Sequence, residues 1–491
     1  MSQKQKHNQT QHYDLCIVGA GIGGLNALHV ASQYLRADQR VLLVDRHDRV
    51  GGMWVKTYDY VRLHQPHPFF TAGDVKWTFG KKASHLASKT EVLDHFQHCV
   101  SEAKKRVGVT ELFGHEMESI DEVGDAVQVT CRSADGTEMT ITADHVINAA
   151  ALDIAALQPL ALTSDRVRSV SPETCDMRTG EIAENDDPVW IIGSGKTAMD
   201  TALALMTAKP GREINMIAGS GTFFGRREQF FPTGAKRWWG GTRFNQLLAE
   251  IADRFDGTNE HDVLAWYRGT YGTWATPRAE HHLVGLMSET ESERIRSGLG
   301  EVVMGHLDDA ADIGDGVMLT LRAGEPIVVQ PGSWVVNCTS HFGNHTNEPS
   351  VPYVSASGRV VTIGRSGIFG FTSFGGYFLT HLLYAGKILD VPLLEIKEPE
   401  VLLHTSSPAA IVGVLVLAQH NIGIAFDHLP TKVFQDGFGL DFDRWFPAPR
   451  RMVGQLRFMA RRKRRGEHCR QALETLGDRF GVTIGPVVGV G

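Results

Sequence analysis

The stretch Asp14-Leu15-Cys16-Ile17-Val18-Gly19-Ala20-Gly21-Ile22-Gly23-Gly24 decides how this 491-residue chain folds. Leu15 to Val18 is an apolar run ending in glycines, as a buried parallel strand reads. Leu25 to Leu35 follows with helical apolar spacing, and Val41 to Val44 is a second buried strand, which completes a βαβ unit. The glycines of G-x-G-x-x-G have separate tasks. Gly19 lets the chain turn sharply, Gly21 lets a pyrophosphate approach the backbone, and Gly24 lets the helix pack on the sheet. The unpaired N–H groups and dipole at the helix start hold the phosphates. Asp45 closes the next strand, twenty-one residues after Gly24, where a ribose hydroxyl finds an acceptor. The motif predicts a dinucleotide site.

The design returns 174 residues later in Val189-Trp190-Ile191-Ile192-Gly193-Ser194-Gly195-Lys196-Thr197-Ala198-Met199-Asp200, with Ala198 as the third small residue. Gly193, Ser194, Gly195, Lys196, Thr197 and Ala198 are the expected contacts of a second nucleotide. Lys196-Thr197 suggests a P-loop, but that motif needs glycine at 190, where Trp190 stands. The next strand, Ile214 to Ile217, runs into Ala218-Gly219-Ser220 with no carboxylate for a 2′-hydroxyl. Arg226 and Arg227 follow a few residues later, which favours NADPH over NADH; the bland alternative is a solvated basic pair.

Working outward, hydrophobic residues make up 42% and charged residues 21%, enough for a large core, which excludes a mainly disordered chain. The formal charge of −7 gives no general attraction to nucleic acid. The six cysteines, Cys16, Cys99, Cys131, Cys175, Cys338 and Cys469, form no C-x-x-C pair, which argues against a disulfide framework, a structural zinc site or a disulfide reductase. Residues 1–12 are polar, without the apolar region of a signal peptide, and read as a frayed tail. The apolar stretch Ala409 to Ala418 falls short of the ~20 residues of a spanning helix. No transmembrane segment and a cytoplasmic location are the expectation. A basic patch, Arg450-Arg451 and Arg461 to Arg465, suits a solvated helix face or contact with a membrane surface or nucleic acid.

A helix is expected over Thr90 to Lys105, an antiparallel meander through Val127 to Thr130 and Met139 to Thr142, and a strand at Val146 to Ala149. A first boundary falls in the acidic stretch Arg178 to Asp187. Trp334 to Asn337 and Val360 to Ile363 are expected to return to the first core. The expected fold class is α/β, with two Rossmann-like dinucleotide-binding domains, the second inserted in the first, and a mostly helical C-terminal region. The expected limits are 1–180 and 331–395 for the two parts of the first domain, 181–330 for the second with an aromatic-rich insertion or lid, and 396–491 for the helical extension.

After Asp45 come Arg46 and then Gly51-Gly52-Met53-Trp54. A glycine pair and an aromatic at this place resemble FAD sites of two-dinucleotide flavoproteins. The two glycine turns, this segment, Thr57-Tyr58-Asp59-Tyr60-Val61-Arg62-Leu63-His64-Gln65-Pro66 and Leu86-Ala87-Ser88-Lys89-Thr90-Glu91-Val92 together resemble class B flavin-dependent monooxygenases. That group holds the flavin-containing monooxygenases and the auxin-forming YUCCA-type enzymes, with the Baeyer–Villiger monooxygenases as relatives. Asn148-Ala149-Ala150 and Asn337-Cys338-Thr339 sit where the family has its two crossings from strand to strand. The likeness covers about residues 13 to 390 and is strongest at the glycine turns.

The resemblance implies an NAD(P)H-dependent flavoprotein oxidoreductase. It implies FAD on Gly19, Gly21, Gly24, Asp45, Arg46, Gly52, Met53 and Trp54, and NADPH on the second turn with Arg226 and Arg227. It implies a small-molecule substrate oxygenated by O2 through a flavin C4a-(hydro)peroxide. Polar groups facing the flavin edge would come from Arg62, His64, Gln65 and His67, with His64 and Arg62 as the candidate catalytic residues. Phe223-Phe224, Phe230-Phe231 and Trp238-Trp239 line an apolar substrate pocket or pack as core. Phe369 to Tyr377 returns to the flavin ring. The family's F-x-G-x-x-x-H motif ahead of the second glycine turn is missing, and Val167-Arg168-Ser169 stand in its region. That departure keeps a reductase passing electrons to a partner or quinone as the alternative.

Overall fold

The computed structural model describes residues 12–150, 157–175, 177–339, 352–364, 368–397 and 407–488. Of the expected N-terminal tail only His12 falls within them.

Two sheets, the first mixed and the second parallel, organise the chain. The first runs in the order Gly108–Phe113, Arg40–Asp45, His12–Val18, Glu138–Asn148, Ala126–Ser133, His115–Val123, and Val360–Thr362 also pairs with Glu138–Asn148. Its first four strands are parallel, and the expected meander continues it in antiparallel fashion. The second sheet runs Val302–Val303, Ile214–Ile217, Val189–Ile192, Trp334–Asn337, Arg168–Val170, all parallel. Every residue of Val189–Ile192, Ile214–Ile217 and Trp334–Asn337 is buried, and all but Asn215 and Asn337 are apolar, as strands covered on both faces read.

Trp334 to Asn337 does not return to the first core. It pairs with Val189–Ile192, Asn337 opposite Ile192. Only Val360–Thr362 rejoins the first sheet, Thr362 opposite Asn148. The second sheet also takes in Arg168–Val170, ahead of the boundary expected in Arg178 to Asp187.

The expected helix after the first nucleotide unit spans Lys89–Lys104 and begins with a capping box: Ser88 Oγ accepts from the Glu91 N–H, and Glu91 accepts from the Ser88 N–H. The C-terminal region is helical, built on Ser407–His428 and Ala448–Phe480. The apolar stretch seen in sequence belongs to a helix of 22 residues, long and apolar enough by composition to cross a membrane, with mean hydropathy 1.8. In the fold, 61% of that apolar window is buried. It packs on Ala448–Phe480, Phe244–Arg254 and Glu260–Tyr271, and a Cβ on Gly413 would stand 2.8 Å from Leu476. The expected apolar stretch ends at Ala418 because Gln419, His420 and Asn421 follow it, and these interrupt the apolar run without interrupting the helix.

Candidate functional site

Both glycine turns have the same construction. Gly19 has φ +100° and Gly193 φ +112°. The Gly19 N–H donates to the Val44 carbonyl at 2.7 Å and the Gly193 N–H to the Ile217 carbonyl at 2.8 Å. A Cβ on Gly19 would lie 2.8 Å from the Ala149 carbonyl carbon, and one on Gly193 2.6 Å from the Cys338 oxygen. The crossing chain is turned alike in both: Asn148 Oδ1 accepts from the Ala150 N–H at 3.1 Å, and Asn337 Oδ1 from the Thr339 N–H at 3.2 Å. Backbone therefore closes on each turn so tightly that only glycine fits.

The helices that follow, Ile22–Tyr34 and Lys196–Ala208, start at Gly21 and Gly195 with no side-chain cap and no acid in the first turn. Lys89–Lys104 and Glu289–Gly298 carry capping boxes, whereas Phe244–Arg254 and Thr372–Tyr384 are uncapped too, so it is the glycine turn ahead of the helix that marks the two cradles. Uncapped N–H groups behind glycine form a cradle for a phosphate. A Cβ on Gly24 would fall 1.9 Å from the Gly19 carbonyl oxygen, and Ala198 is fully buried at the matching place.

Asp45 is buried and already engaged. Oδ2 accepts from the Ala20 N–H at 2.6 Å, and Oδ1 accepts from the His47 N–H at 2.8 Å, with the His47 ring Nδ1 at 2.9 Å. Two oxygens offer about four acceptor sites, so a ribose hydroxyl can still be added. Arg46 is exposed beside it. His47, not singled out from sequence, is buried, and its Nε2 has no partner among the described residues. The glycine pair folds back over the first turn: the Gly51 N–H donates to the Ala20 carbonyl at 3.0 Å, and a Cβ on Gly52 would lie 2.8 Å from the Gly21 Cα. Met53 is half exposed. Trp54 is buried, its ring 5.6 Å from that of Phe70.

In the second cradle Ser194 Oγ donates to the Ala218 carbonyl at 2.7 Å. Lys196 pairs with Asp200, and Thr197 accepts the Thr201 hydroxyl on its carbonyl at 2.8 Å. His306 faces the end of strand Ile214–Ile217, with Cε1 3.1 Å from a Cβ built on Gly219.

Arg226 and Arg227 are not free to reach that strand end. Arg226 pairs with Glu289 at 3.3 Å and donates to the Thr270 carbonyl. Arg227 grips Glu291 with both Nη atoms, at 3.1 and 2.8 Å, and donates from Nε to the His64 carbonyl at 2.6 Å. Burial alone would push the Glu291 carboxyl up, but Arg227 and the Ser288 N–H outweigh it and hold it below its usual range.

The segment between the two glycine units bridges the cradles. Tyr58 Oη donates to Asp200 Oδ2 at 3.0 Å, and Tyr60 Oη shares a hydrogen bond with Thr201 Oγ1 at 2.9 Å. Burial, with the neighbouring Asp200 charge, raises the Tyr58 phenol well above its ordinary range. His64 lies beside the second cradle. Burial, reinforced by the charges of Lys196 and Arg227, depresses its pKa well below the ordinary value, so the ring is neutral at neutral pH. Arg62 is not brought there: it is exposed and donates to the Leu86 carbonyl at 3.2 Å. His67 is buried, with Nδ1 3.1 Å from the His85 carbonyl.

The expected aromatic set divides. Phe223, Phe224, Phe230 and Phe231 are buried, whereas Trp238 and Trp239 are exposed. Phe231 joins Phe69, Phe442 and Trp445 at ring separations of 5.5 to 6.2 Å. Phe442 extends the cluster to Phe244 at 5.0 Å and Phe371 at 6.1 Å. Phe371 precedes the helix Thr372–Tyr384, which docks on the first cradle helix; a Cβ on Gly376 would lie 2.1 Å from the Gly23 oxygen. Tyr58, Tyr60, Asp200 and Glu291 were missed as site residues. The first three stood inside the quoted motifs, and Glu291 carried the signal of a capping box, Ser288-x-x-Glu291.

Residues 13–230 match the family model described as pyridine nucleotide-disulphide oxidoreductase. The matched stretch contains both glycine turns and Arg226-Arg227. A protein of Mycobacterium tuberculosis, named only as uncharacterized, is 25% identical over 213 residues, 40% of this chain and 36% of its own length. The match thus spans little more than a third of that curated relative. Among solved structures, a cyclohexanone monooxygenase mutant from Rhodococcus sp. Phi1 bound to NADP+ is 13% identical, with 82% of this chain and 91% of that one covered at a TM-score of 0.49. A bacillithiol disulfide reductase from Bacillus cereus is 12% identical, with 77% and 100% covered at a TM-score of 0.42. At such scores the likeness carries no functional argument.

Proposed function

We propose that the protein is an FAD-dependent, NADPH-using monooxygenase that places one oxygen atom of O2 on a small organic substrate, the other leaving as water. The observation that carries this reading is the bridge from Tyr58 to His64, which ties the segment behind the first cradle to the helix and the Arg227–Glu291 pair of the second. Two dinucleotide cradles joined in this way would let a flavin and a nicotinamide held there exchange electrons.

The residues present fit both groups. Gly19, Gly21, Gly24, Asp45, Arg46, Gly52, Met53 and Trp54 would hold FAD, with the orphan Nε2 of His47 as a further polar contact. Gly193, Ser194, Gly195, Lys196, Thr197 and Ala198 would hold NADPH. When bound, the flavin and nicotinamide supply electron transfer and oxygen activation. The chain's part is to bind, orient and exclude water. Arg227 anchors the His64 backbone. His64, kept neutral, offers one donor and one acceptor. The cluster of Phe231, Phe371, Phe442 and Trp445 gives an apolar substrate a dry wall.

The test is direct. Purified protein should carry flavin, bleach with NADPH under anaerobic conditions and, with 18O2 and a suitable sulfide, amine or ketone, give labelled product. Protein without flavin, or NADPH consumption with peroxide as the sole product over a broad substrate panel, refutes it. One observation favours the second reading, a reductase without oxygenation. Arg168, in the region of the missing histidine motif, is committed to Asp187 at 2.9 Å and to the face of Trp334 at 4.9 Å. Turnover with an artificial acceptor in the absence of O2, and no oxygenated product in its presence, would establish that reading.

A further inference from the structure

The first half of the helix Ala448–Phe480 has two faces. Gly454 and Arg465 point inward and are buried, with Gly454 packed so closely on Arg243 that a Cβ would overlap its guanidinium. On the opposite side Met452 (60% exposed), Val453, Leu456 (66%) and Met459 stand in solvent. Their spacing puts Met452, Leu456 and Met459 in one stripe. Two more large apolar side chains, Trp238 (55% exposed) and Trp239 (76%), lie on the short helix Lys236–Trp239. That helix is fastened to the start of the long one: Arg450 donates to the carbonyls of Arg237, at 3.1 Å, and Gly240, on either side of the tryptophans. Six of the twelve exposed large apolar side chains among the described residues therefore lie on these two joined helices.

Cations frame them. Residues 450–465 contain eight Lys and Arg and no acid, in a chain whose formal charge is −7. Arg462 and Arg465 are spent on Asp427 and Asp253. Arg457, Lys463 and Arg464 are exposed, with no ion-pair partner among the described residues.

We propose that this patch docks the protein on the surface of a bilayer containing anionic phospholipids. Tryptophans prefer the headgroup level, an amphipathic helix buries its apolar stripe at the acyl boundary, and flanking cations are attracted to anionic headgroups. A second copy of the chain is the weaker occupant: a two-fold interface would set the same unpaired cations against each other. The inference is independent of the redox reading, since it uses no residue of either cradle.

The experiment is co-sedimentation of the full chain with vesicles of phosphatidylcholine alone or with about 30 mol % phosphatidylglycerol. The protein should partition at least tenfold more strongly onto the anionic vesicles, and raising salt from about 0.1 to about 0.5 M should erase most of the difference. W238S/W239S and M452Q/L456Q/M459Q, both confined to exposed positions, should each weaken partition about tenfold at unchanged melting temperature. R457Q/K463Q/R464Q should abolish the preference for phosphatidylglycerol. No binding to anionic vesicles, or equal binding by wild type and all three variants, overturns the proposal. So does sedimentation equilibrium showing a dimer that the same substitutions dissociate, or vesicle binding displaced by RNA at equal charge.

Discussion

Replacing Arg227 by methionine removes a bidentate grip on Glu291 and the bond to the His64 carbonyl while keeping most of the side-chain volume. The Arg227 side chain is 14% exposed and that of Glu291 28%. Breaking a fully buried pair costs about 3–5 kcal/mol; the residual exposure of Glu291 lets water recover part, leaving about 2–3 kcal/mol for R227M. E291Q keeps hydrogen-bonding capacity and should cost about 1–2 kcal/mol. The double variant R227M/E291Q strands no charge, so it should cost about the same as R227M alone, which gives a coupling of about 1–2 kcal/mol. The assay is a double-mutant cycle by thermal unfolding at pH 7.5, where R227M should melt about 2–3 °C below wild type. Flavin content should be unchanged in all three, while NADPH oxidation slows wherever Arg227 is lost, because the His64 segment loses its anchor. A double variant that costs the sum of the single ones would refute the coupling. Wild-type NADPH kinetics in R227M would refute the positioning role.

Glycine substitutions should separate the two cradles. G19A should give protein lacking flavin, and G193A protein that holds flavin but is not reduced by NADPH; visible spectra before and after anaerobic NADPH distinguish them, and loss of flavin from G193A would count against the assignment. G376A forces a Cβ against the Gly23 carbonyl and should destabilise by about 3 kcal/mol, whereas G423A, with no neighbour within 4 Å, should stabilise its helix by about 0.5–1 kcal/mol; equal melting shifts would contradict the packing. Burial depresses the pKa of His282 to about 4 and that of His95 to about 3. The unfolded chain takes up these protons near pH 6.5 and the folded chain does not, so the stability is whole above about pH 6.5 and falls by about 1.4 kcal/mol per pH unit per histidine down to the folded pKa. H282N should flatten that slope between pH 6.5 and 4 in urea titrations, and an unaltered slope would refute the contribution.

The parts of the fold legible in the sequence were those set by local chemistry. A strand, three small residues and a helix lie within a dozen positions, and the φ of Gly19 and Gly193 follows from steric rules that act over a few bonds. Which sheet receives a strand is a non-local matter. Trp334 to Asn337 reads as buried either way, and only the pairing of Asn337 with Ile192 shows that it closes the second turn as Asn148 closes the first. Arg226 and Arg227 had the charge of phosphate ligands, yet the carboxylates that claim them, Glu289 and Glu291, lie over sixty residues further on, beyond any motif. Arg62 and His64 are two residues apart, and the bend at His64 leaves one in solvent and the other beside Lys196. Trp238 and Trp239 looked like pocket lining because hydrophobicity alone does not say which side of a short helix meets water.

Val360–Thr362 lies parallel to the strand ending at Asn148, and the entire second unit is the crossover between them. Closing a disordered connection of that length costs about 5 kcal/mol in chain entropy, and far less once the intervening chain has collapsed with its ends together. The first sheet therefore gains its final strand late, after the ribosome has released most of the chain and the inner unit has condensed.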